Sequence, residues 1–509
     1  MSMLFPSILH RIDSSLITLD ACKLLDLDIE PPLALEAMTK DSDNTDDHGS
    51  KQINFQTGMG ENYERLEFLG DTFLKMATTI SIFTRKPDQD EFYYHVERML
   101  LLCNRNLFNH AVDRGLQEFI RSKSFDRRSW YPNLKLVRGK ATQGEFRHNL
   151  ADKSIADVCE ALIGAAYLSG QDGNMDMGVK AVTKMVKSKN HTMTAFQDYY
   201  SNYKMPDWQF PEQVSAEYLH QAKDVSRKIG YQFRSPTLVR CANKHPSWLW
   251  DRNIPNYQQL EFLGDALLDM TIVDYLYREF PDANPQWLTE HKMDMVSNHF
   301  FGFLCVRLGL QRHLLCTTAA LIGQIDSYVQ DLKKAEQAMK QGEADGLETR
   351  SAYWLNISSA PKALSDLVEA TVGAMFVDSE YDFDVIRRFT EQHVLPFFRD
   401  MSKYDTLAST NPVTVLEHHL RNHFRCDEFA TFCKSVPCGV EEGIKAITES
   451  EVVGMMLIHK KPISDARAQN GDSAKSSVAK TVMEMITGLS QADYREKFGC
   501  DCNLGPATK

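Results

Sequence analysis

Tyr63-Glu-Arg-Leu-Glu-Phe-Leu-Gly-Asp71 is answered later in the chain by Tyr257-Gln-Gln-Leu-Glu-Phe-Leu-Gly-Asp265. Each copy is followed by a second acidic pair in matching surroundings. These are Lys153-Ser-Ile-Ala-Asp157-Val-Cys-Glu160 and Lys362-Ala-Leu-Ser-Asp366-Leu-Val-Glu369. On a helix, residues three or four apart share one face, with Cβ atoms about 5–6 Å apart. Glu67 and Asp71 therefore line one helix, Asp157 and Glu160 another, and a crossing of the two brings four carboxylates together. The flanking Leu66, Phe68, Leu69, Phe73 and Leu74 are apolar, which sets the acids beside a buried face rather than on a solvated one. A lone Glu-x-x-x-Asp is ordinary on an exposed helix. A four-carboxylate set that recurs in the same order is the mark of a duplicated site.

Carboxylates at close quarters raise one another's pKa and do not all stay ionised without a cation. Hard divalent metals with oxygen ligands resolve this, with Mg²⁺ the natural occupant and Mn²⁺ a substitute. Such sites hydrolyse phosphodiesters with one or two ions. The expected ligands are Glu67, Asp71, Asp157 and Glu160 in one copy and Glu261, Asp265, Asp366 and Glu369 in the other. Lys153 and Lys362, each four residues before its Asp, share that residue's helix face and are placed to steady a carboxylate or the scissile phosphate. Gly70 and Gly264 allow close helix packing beside the acids.

At 509 residues the chain has room for about two to four domains. An apolar fraction of 43% and a charged fraction of 25% fit a globular protein rather than a disordered one. No apolar run approaches the roughly 20 residues that span a bilayer. The first ten residues lack the basic start and long apolar core of a secretory leader. The expectation is an intracellular chain, in cytoplasm or nucleus, with no membrane partner. A formal net charge of −12 argues against wholesale coating of nucleic acid, but not against a nuclease whose acids bind cations. Cys103, Cys159 and Cys305 sit in apolar helical patterns and read as small buried hydrophobes.

The first 40 residues carry helical periodicity broken at Pro31-Pro32, and the acidic segment Asp41-Ser-Asp-Asn-Thr-Asp-Asp-His-Gly-Ser50 reads as a polar loop. Residues 60–170 and 255–380 are internal repeats, helical throughout. Their first acidic pairs are offset by 194 residues (Glu67 to Glu261) and their second by 209 (Asp157 to Asp366). The 15 extra residues of the second copy fall in the charged helical segment around Gln330–Lys340 and its acidic tail. Cys103-Asn104 and Ser297-Asn298 form a weaker echo at the first offset. After Asn411-Pro412 the texture changes to helix (Val413–Phe424), strands around Phe429–Val436 and Ile444–His459, then a helix from Ser473 to Leu489, a small α+β domain.

The segment Glu64-Arg-Leu-Glu-Phe-Leu-Gly-Asp71 and its repeat resemble the signature of the ribonuclease III family. Two such domains in tandem before a small α+β domain resemble the C-terminal half of Dicer, fungal Dicer-like proteins in particular. Leu4-Phe-Pro-Ser-Ile-Leu-His-Arg11 is also similar to the lead-in of the first Dicer nuclease domain. The resemblance implies a mainly α architecture, with two all-helical ribonuclease III domains paired within one monomeric chain and a double-stranded-RNA-binding-like domain at the end. On that reading residues 1–60 are a helical lead-in with the acidic loop and 61–190 the first nuclease domain. Residues 191–230 connect it to the second domain at 231–400, and 411–509 form the last domain. It implies both metal sets active, each cutting one strand of double-stranded RNA into short duplexes with 3′ overhangs and 5′-phosphates. A role in RNA silencing or antiviral defence, with silencing-complex proteins as partners, follows from the same resemblance. Gln258-Gln259 replaces Glu64-Arg65 ahead of the second motif, a departure that spares the metal ligands. A phosphate loop of the Gly-x-x-x-x-Gly-Lys-Ser/Thr type is not found, nor is room for an end-binding PAZ module before residue 60, so ATP dependence is not expected of this stretch.

The stretch Arg121–Arg147 is rich in Arg and Lys with Trp130, Tyr131 and Phe146 interleaved. It reads either as a phosphate-tracking segment or as a solvated basic loop. Lys475 and Lys480 stand near the start of the last helix, where the resemblance implies contacts to the RNA backbone. Cys500 and Cys502 are close enough to share a metal, with Cys426 and His459 available for a tetrahedral Cys₃His zinc site of structural role. In their order these four residues resemble a site that fungal Dicer-like C-termini can carry. Cys433 and Cys438 compete for the first ligand, and free thiols are the plain alternative. Two other functions stand beside the favoured one: processing of structured or ribosomal RNA by a conventional ribonuclease III, and a non-cleaving scaffold that binds double-stranded RNA.

Overall fold

A computed structural model describes residues 5–40, 61–122, 150–170, 173–344, 353–357, 359–401, 404, 412–437, 450–468, 471–500 and 502. The acidic segment at 41–50, nearly all of the basic stretch at 121–147, and Cys438 lie outside them. The chain divides into two units, the described residues up to 399 and those from 400 onward.

The first unit is helical. Its elements are α1 (Phe5–Leu25), α2 (Pro31–Ala37), α3 (Glu64–Arg85), α4 (Glu91–Leu102), α5 (Asn104–Asp113), α6 (Asp152–Leu168), α7 (Met175–Val186) and α8 (Gln197–Ser201). After these come α9 (Ala216–Ile229), α10 (Pro236–Ala242), α11 (Gln258–Glu279), α12 (Pro285–Met295) and α13 (Asn298–Leu308). The unit ends with α14 (Ala319–Ala344), α15 (Lys362–Asp378) and α16 (Phe383–His393). Side-chain caps start many of them: Asp90, Asn174, Ser215, Asn284 and Ser297 each accept a backbone N–H of the following turn, one of the donors a helix start leaves unpaired. Cys103 is a correction to the sequence reading. It lies between α4 and α5 and is exposed, whereas Cys159 and Cys305 are buried as expected.

The core of each half is one crossing, α3 over α6 and α11 over α15. All four helices are buried on most of their circumference, which is why their sequences are apolar almost all round. The crossings are close because glycines face each other's backbone. A Cβ on Gly70 would stand 1.8 Å from the carbonyl oxygen of Glu160, and one on Gly264 the same 1.8 Å from that of Glu369. Gly164 and Gly373 meet the carbonyls of Leu66 and Leu260 in the same way.

The halves are related by internal symmetry that extends beyond the repeated motifs. Lys40 N–H donates to Arg121 O (2.8 Å) and Arg121 N–H to Met38 O (2.8 Å); His245 N–H donates to Leu315 O (3.1 Å) and Leu315 N–H to Asn243 O (2.8 Å). Tyr63 N–H then bonds Thr39 O as Tyr257 N–H bonds Lys244 O. So α1–α2 correspond to α9–α10, segments that lie outside the repeats read from the sequence. The long α14, buried at Ile325, Tyr328 and Leu332, contains the Gln330–Lys340 segment.

Packing of α3 against α11 joins the two halves. Across this junction Arg65 donates to the carbonyls of Tyr277 (3.1 Å), Phe280 (3.2 Å) and Ala283, with its guanidinium over the Tyr277 ring. The symmetry-related Gln259 donates to Gln89 O at 2.8 Å. The Gln258-Gln259 departure thus falls at the junction, where a shorter amide replaces the guanidinium.

The second unit holds α17 (Pro412–Asn422), β1 (Phe429–Pro437), β2 (Ser450–Ile458), β3 (Lys461–Ala468), α18 (Gly471–Ile486) and α19 (Gln491–Phe498). The strands form an antiparallel sheet in the order β1-β2-β3, registered by Phe429 opposite Ile458 and Ile458 opposite Lys461. The β2–β3 hairpin turns through His459 (φ 49°) and Lys460 (φ 62°), the positive φ pair that matches the strand twist. Leu416, Leu420, Met456, Ile458, Val478, Val482 and Ile486 make the core, and Phe424 stacks on Tyr494 of α19 at 4.1 Å. The expected fold class, mainly α with two tandem helical halves paired in one chain and a small α+β domain, is the one observed.

Candidate active site

In the first half, α3 contributes Glu67 and Asp71, and α6 contributes Asp157 and Glu160. Ligand-capable oxygens of Glu67, Asp157 and Glu160 lie within 4.8 Å of one another, and those of Glu261, Asp366 and Glu369 do the same in the second half. Asp71 and Asp265 stand outside these tight groups but within electrostatic reach of Glu160 and Glu369, whose carboxyls they push upward. Burial raises Glu160 to about 9, with Asp71, Glu67 and Asp157 adding to it. Burial likewise takes Glu67 to about 7, with Asp157 adding to it and Lys153 opposing. In the second half, desolvation takes Glu261 to about 7 and holds Glu369 well above the carboxylate range.

The lysines touch the acids. Lys153 Nζ is 2.9 Å from both oxygens of Asp157 and 3.6 Å from Glu67, and Lys362 Nζ is 2.7 Å from Asp366 and 2.8 Å from Glu261. These ammoniums are too few to neutralise four carboxylates in either set. The residual charge, the all-oxygen donors and the raised carboxyls make each set one that can hold a metal ion.

Two participants escaped the sequence reading although they open the repeated motifs. Tyr63 donates to Asp157 at 3.4 Å and Tyr257 to Asp366 at 2.9 Å. Burial, then the facing aspartate, keeps both phenols well above their usual range, so they remain donors. Ser365 donates to Asn298, the residue flagged by the weaker echo, at 2.6 Å. A third missed feature is Lys75, whose ammonium reaches across the junction to Asp265 and Asp269. A cavity of about 910 Å³ lined by Trp208, Tyr218 and Asp251 includes none of these carboxylates.

A model of the ribonuclease III domain matches residues 64–171 and again 258–380, so both acidic pairs of each half fall inside a match. The chain belongs to the ribonuclease III family. A model of the double-stranded-RNA-binding domain matches residues 404–488. The proteins this chain is similar to include Dicer-like proteins. It is 51% identical over 530 residues to Dicer-like protein 1 of Neurospora crassa, covering 99% of this chain and 33% of that protein. To Dicer-like protein 1 of Pyricularia oryzae it is 48% identical, with 99% and 32% covered. This chain therefore spans about a third of the length of the curated relatives it matches. The crystal structure of Dicer from Giardia intestinalis overlaps at a TM-score of 0.38 and 14% identity, covering 66% of this chain and 54% of that one. That likeness is too loose to carry an argument.

In the second unit of this ribonuclease III chain, Cys426, His459, Cys500 and Cys502 bring their ligand atoms within 4.8 Å of one another. His459 Nε2 is 3.5 Å from Cys426 Sγ and 3.7 Å from Cys502 Sγ, while its Nδ1 is 2.9 Å from the Glu428 carboxylate. Cys433 lies on β1 opposite Gly454 and is not in the group. Lys475 and Lys480 are on α18, half-buried and exposed respectively. Arg121, the one basic residue of the 121–147 stretch within the described residues, donates to Thr39 at 2.9 Å as part of the α2 junction. Among the described residues no helix is long and apolar enough to cross a membrane.

Proposed function

We propose that this chain is a divalent-metal-dependent endoribonuclease that cuts double-stranded RNA, one strand in each half, leaving 5′-phosphates and short 3′ overhangs. The reading rests above all on two complete carboxylate–lysine–tyrosine sets related by internal symmetry within one unit. The donor sets suit Mg²⁺, with Mn²⁺ as a substitute, because every donor is a carboxylate oxygen. Glu67, Asp71, Asp157 and Glu160 would hold the ion in the first half, and Glu261, Asp265, Asp366 and Glu369 in the second. A bound divalent ion supplies Lewis acidity toward a phosphoryl oxygen and activation of water. The chain's own contribution is orientation. Tyr63 and Lys153 hold Asp157, Tyr257 and Lys362 hold Asp366, and the lysines add positive charge where a phosphate would arrive.

Double-stranded RNA is read mainly by shape through phosphate and 2′-hydroxyl contacts. Lys475 and Lys480 on α18 would serve such contacts. The four-residue cluster of the second unit would hold a structural Zn²⁺. With Zn–S of about 2.3 Å and Zn–N of about 2.0–2.1 Å, tetrahedral ligation separates sulfur and nitrogen by roughly 3.6 Å. The 3.5 and 3.7 Å separations at His459 fit that requirement, and the Glu428 carboxylate on the other ring nitrogen is the usual outer partner of a metal-bound histidine. Silencing or antiviral defence, with silencing-complex proteins as partners, is the biological setting we infer from the Dicer-like relatives. The intact symmetric sets favour this over a non-cleaving scaffold, and two sites in one chain favour it over a conventional single-domain ribonuclease III.

The test is cleavage of a long end-labelled RNA duplex with Mg²⁺ by wild type, Asp71→Asn, Asp265→Asn and the double variant. Each single variant should lose the cuts on one strand and the double variant all of them. Folded wild type that binds the duplex but never cuts it with Mg²⁺ would sink the proposal in favour of the scaffold.

A further inference from the structure

At the junction of the halves the internal symmetry places position 75 against position 269, its own counterpart at the 194-residue offset. A residue beside such an axis meets its equivalent. Here the two equivalents carry opposite charge: Lys75 Nζ lies 2.5 Å from Asp269 Oδ2 and 2.9 Å from Asp265 Oδ2. Lys292 also pairs with Asp269, at 3.3 Å. Arg98, the counterpart of Lys292, is within electrostatic reach of Asp265 and Asp269, and Lys292 is within reach of Asp71. The first half thus brings Lys75, Arg98 and Asp71, and the second brings Asp269, Lys292 and Asp265. The three cations and three anions balance.

Pairing of like halves in the same geometry would not balance. Two first halves would place two Lys75, two Arg98 and two Asp71 together, leaving two unmatched positive charges. Two second halves would leave two unmatched negative charges on the same count. The site is closed enough for this to matter, since Asp269 is 6% and Lys75 24% exposed in the assembled junction. Unpaired like charges in such a place are strongly unfavourable, and specificity of pairing is often built from that repulsion.

We propose that Lys75 and Asp269 are the selectivity pair that makes each half recognise the other half and reject its own kind, in the same chain or in a second copy. Lys75 also holds Asp265, so correct pairing brings a cation from the first half to a carboxylate of the second half's site. The partner this surface fits is the oppositely charged half.

The symmetry makes the pair reversible. In a Lys75→Asp, Asp269→Lys chain the three-against-three balance is kept, and the ammonium introduced at position 269 faces Asp71 as Lys75 faces Asp265 in the wild type. Either single reversal gives the two-charge excess of a self-paired junction. The experiment measures melting of the full chain as wild type, both single reversals and the swapped double. It also co-expresses the two single reversals under different tags. Each single reversal should melt lower by roughly 10 °C or fail to fold alone, and the double should recover most of that loss. The co-expressed singles should capture each other in a one-to-one complex, because every half of one chain then matches every half of the other. Differently tagged copies of one variant should not. Single reversals that melt with wild type, a swapped chain no better than the weaker single, or singles that ignore each other would each overturn the proposal. None of these readouts depends on cleavage.

Discussion

The phenol of Tyr257 donates a 2.9 Å hydrogen bond to Asp366, whereas its counterpart Tyr63 stands 3.4 Å from Asp157. A hydrogen bond to a charged partner contributes about 1.5–3 kcal/mol, and O–H···O bonds weaken as they lengthen beyond about 3 Å. Tyr257→Phe should therefore slow the cuts assigned to the second half by about tenfold, and Tyr63→Phe should do so less for the first half. Strand-resolved cleavage rates decide this. Equal effects at both sites would show that the phenols do not act through these bonds.

Gly264→Ala should be among the most damaging single changes in the chain. The added methyl would stand 1.8 Å from Glu369 O and 3.0 Å from Gly373 N, both backbone atoms that cannot swing aside. Overpacking of this kind costs typically 1–3 kcal/mol and more where backbone must move, so a loss of at least about 3 kcal/mol is expected. Gly323→Ala on α14 is the control, since nothing lies within 4 Å of that position. It should be neutral or stabilise by up to about 1 kcal/mol through helix propensity. Chemical denaturation of the two variants side by side measures the contrast.

The carboxylate sets were legible in the sequence because spacings of three and four on a helix are local. So was the α+β texture of the last unit, whose α17 and α18 start and end within two or three residues of the expected positions, whereas β3 and α19 were not expected. Tyr63 and Tyr257 were not legible as participants, because their partners lie 94 and 109 residues away and only the crossing of helices brings them together. The correspondence of α1–α2 with α9–α10 is carried by backbone hydrogen bonds, to which side-chain identity contributes little. Lys75 and Asp269 had left a signal. The two motifs align at an offset of 194, and the first charge reversal after the shared Gly-Asp falls at this position.

Stability of the metal-free chain should fall as pH rises. Glu67 at about 7 and Glu160 at about 9 hold their protons more firmly folded than unfolded, where the ordinary value is 4.5. Between pH 4.5 and those midpoints the folded state binds more protons, so the slope of unfolding free energy with pH is negative. The contribution is fully present below the unfolded value and is lost as pH climbs through 7 and then 9. Melting of chelator-treated protein at about pH 6 and about pH 8.5 should show the drop, at about 2–4 °C per kcal/mol for domains of 150–250 residues. Mg²⁺ should narrow the difference, because a cation replaces the protons, and Glu160→Gln should flatten the chelated profile. A chelated protein that gains stability across this window, relative to Glu160→Gln, would contradict the assignment.

The Cys426, His459, Cys500 and Cys502 cluster predicts a metal that is independent of catalysis. Purified chain should contain about one equivalent of zinc, retained under conditions that strip Mg²⁺, and Cys500→Ser or His459→Ala should lose it. Cys433→Ser should keep it, since Cys433 lies on β1 outside the group. His459 sits in the β2–β3 turn at a φ of 49°, a left-handed conformation with some strain for a residue other than glycine. A metal holding its ring would fix the turn, and through Cys500 and Cys502 would fasten the chain end after α19 to the sheet. Zinc loss should therefore lower the melting of the second unit while leaving the Mg²⁺ dependence of any cleavage unchanged. Zinc-free protein with an equally stable second unit, or Cys500→Ser that keeps its zinc, would return these cysteines to the status of free thiols.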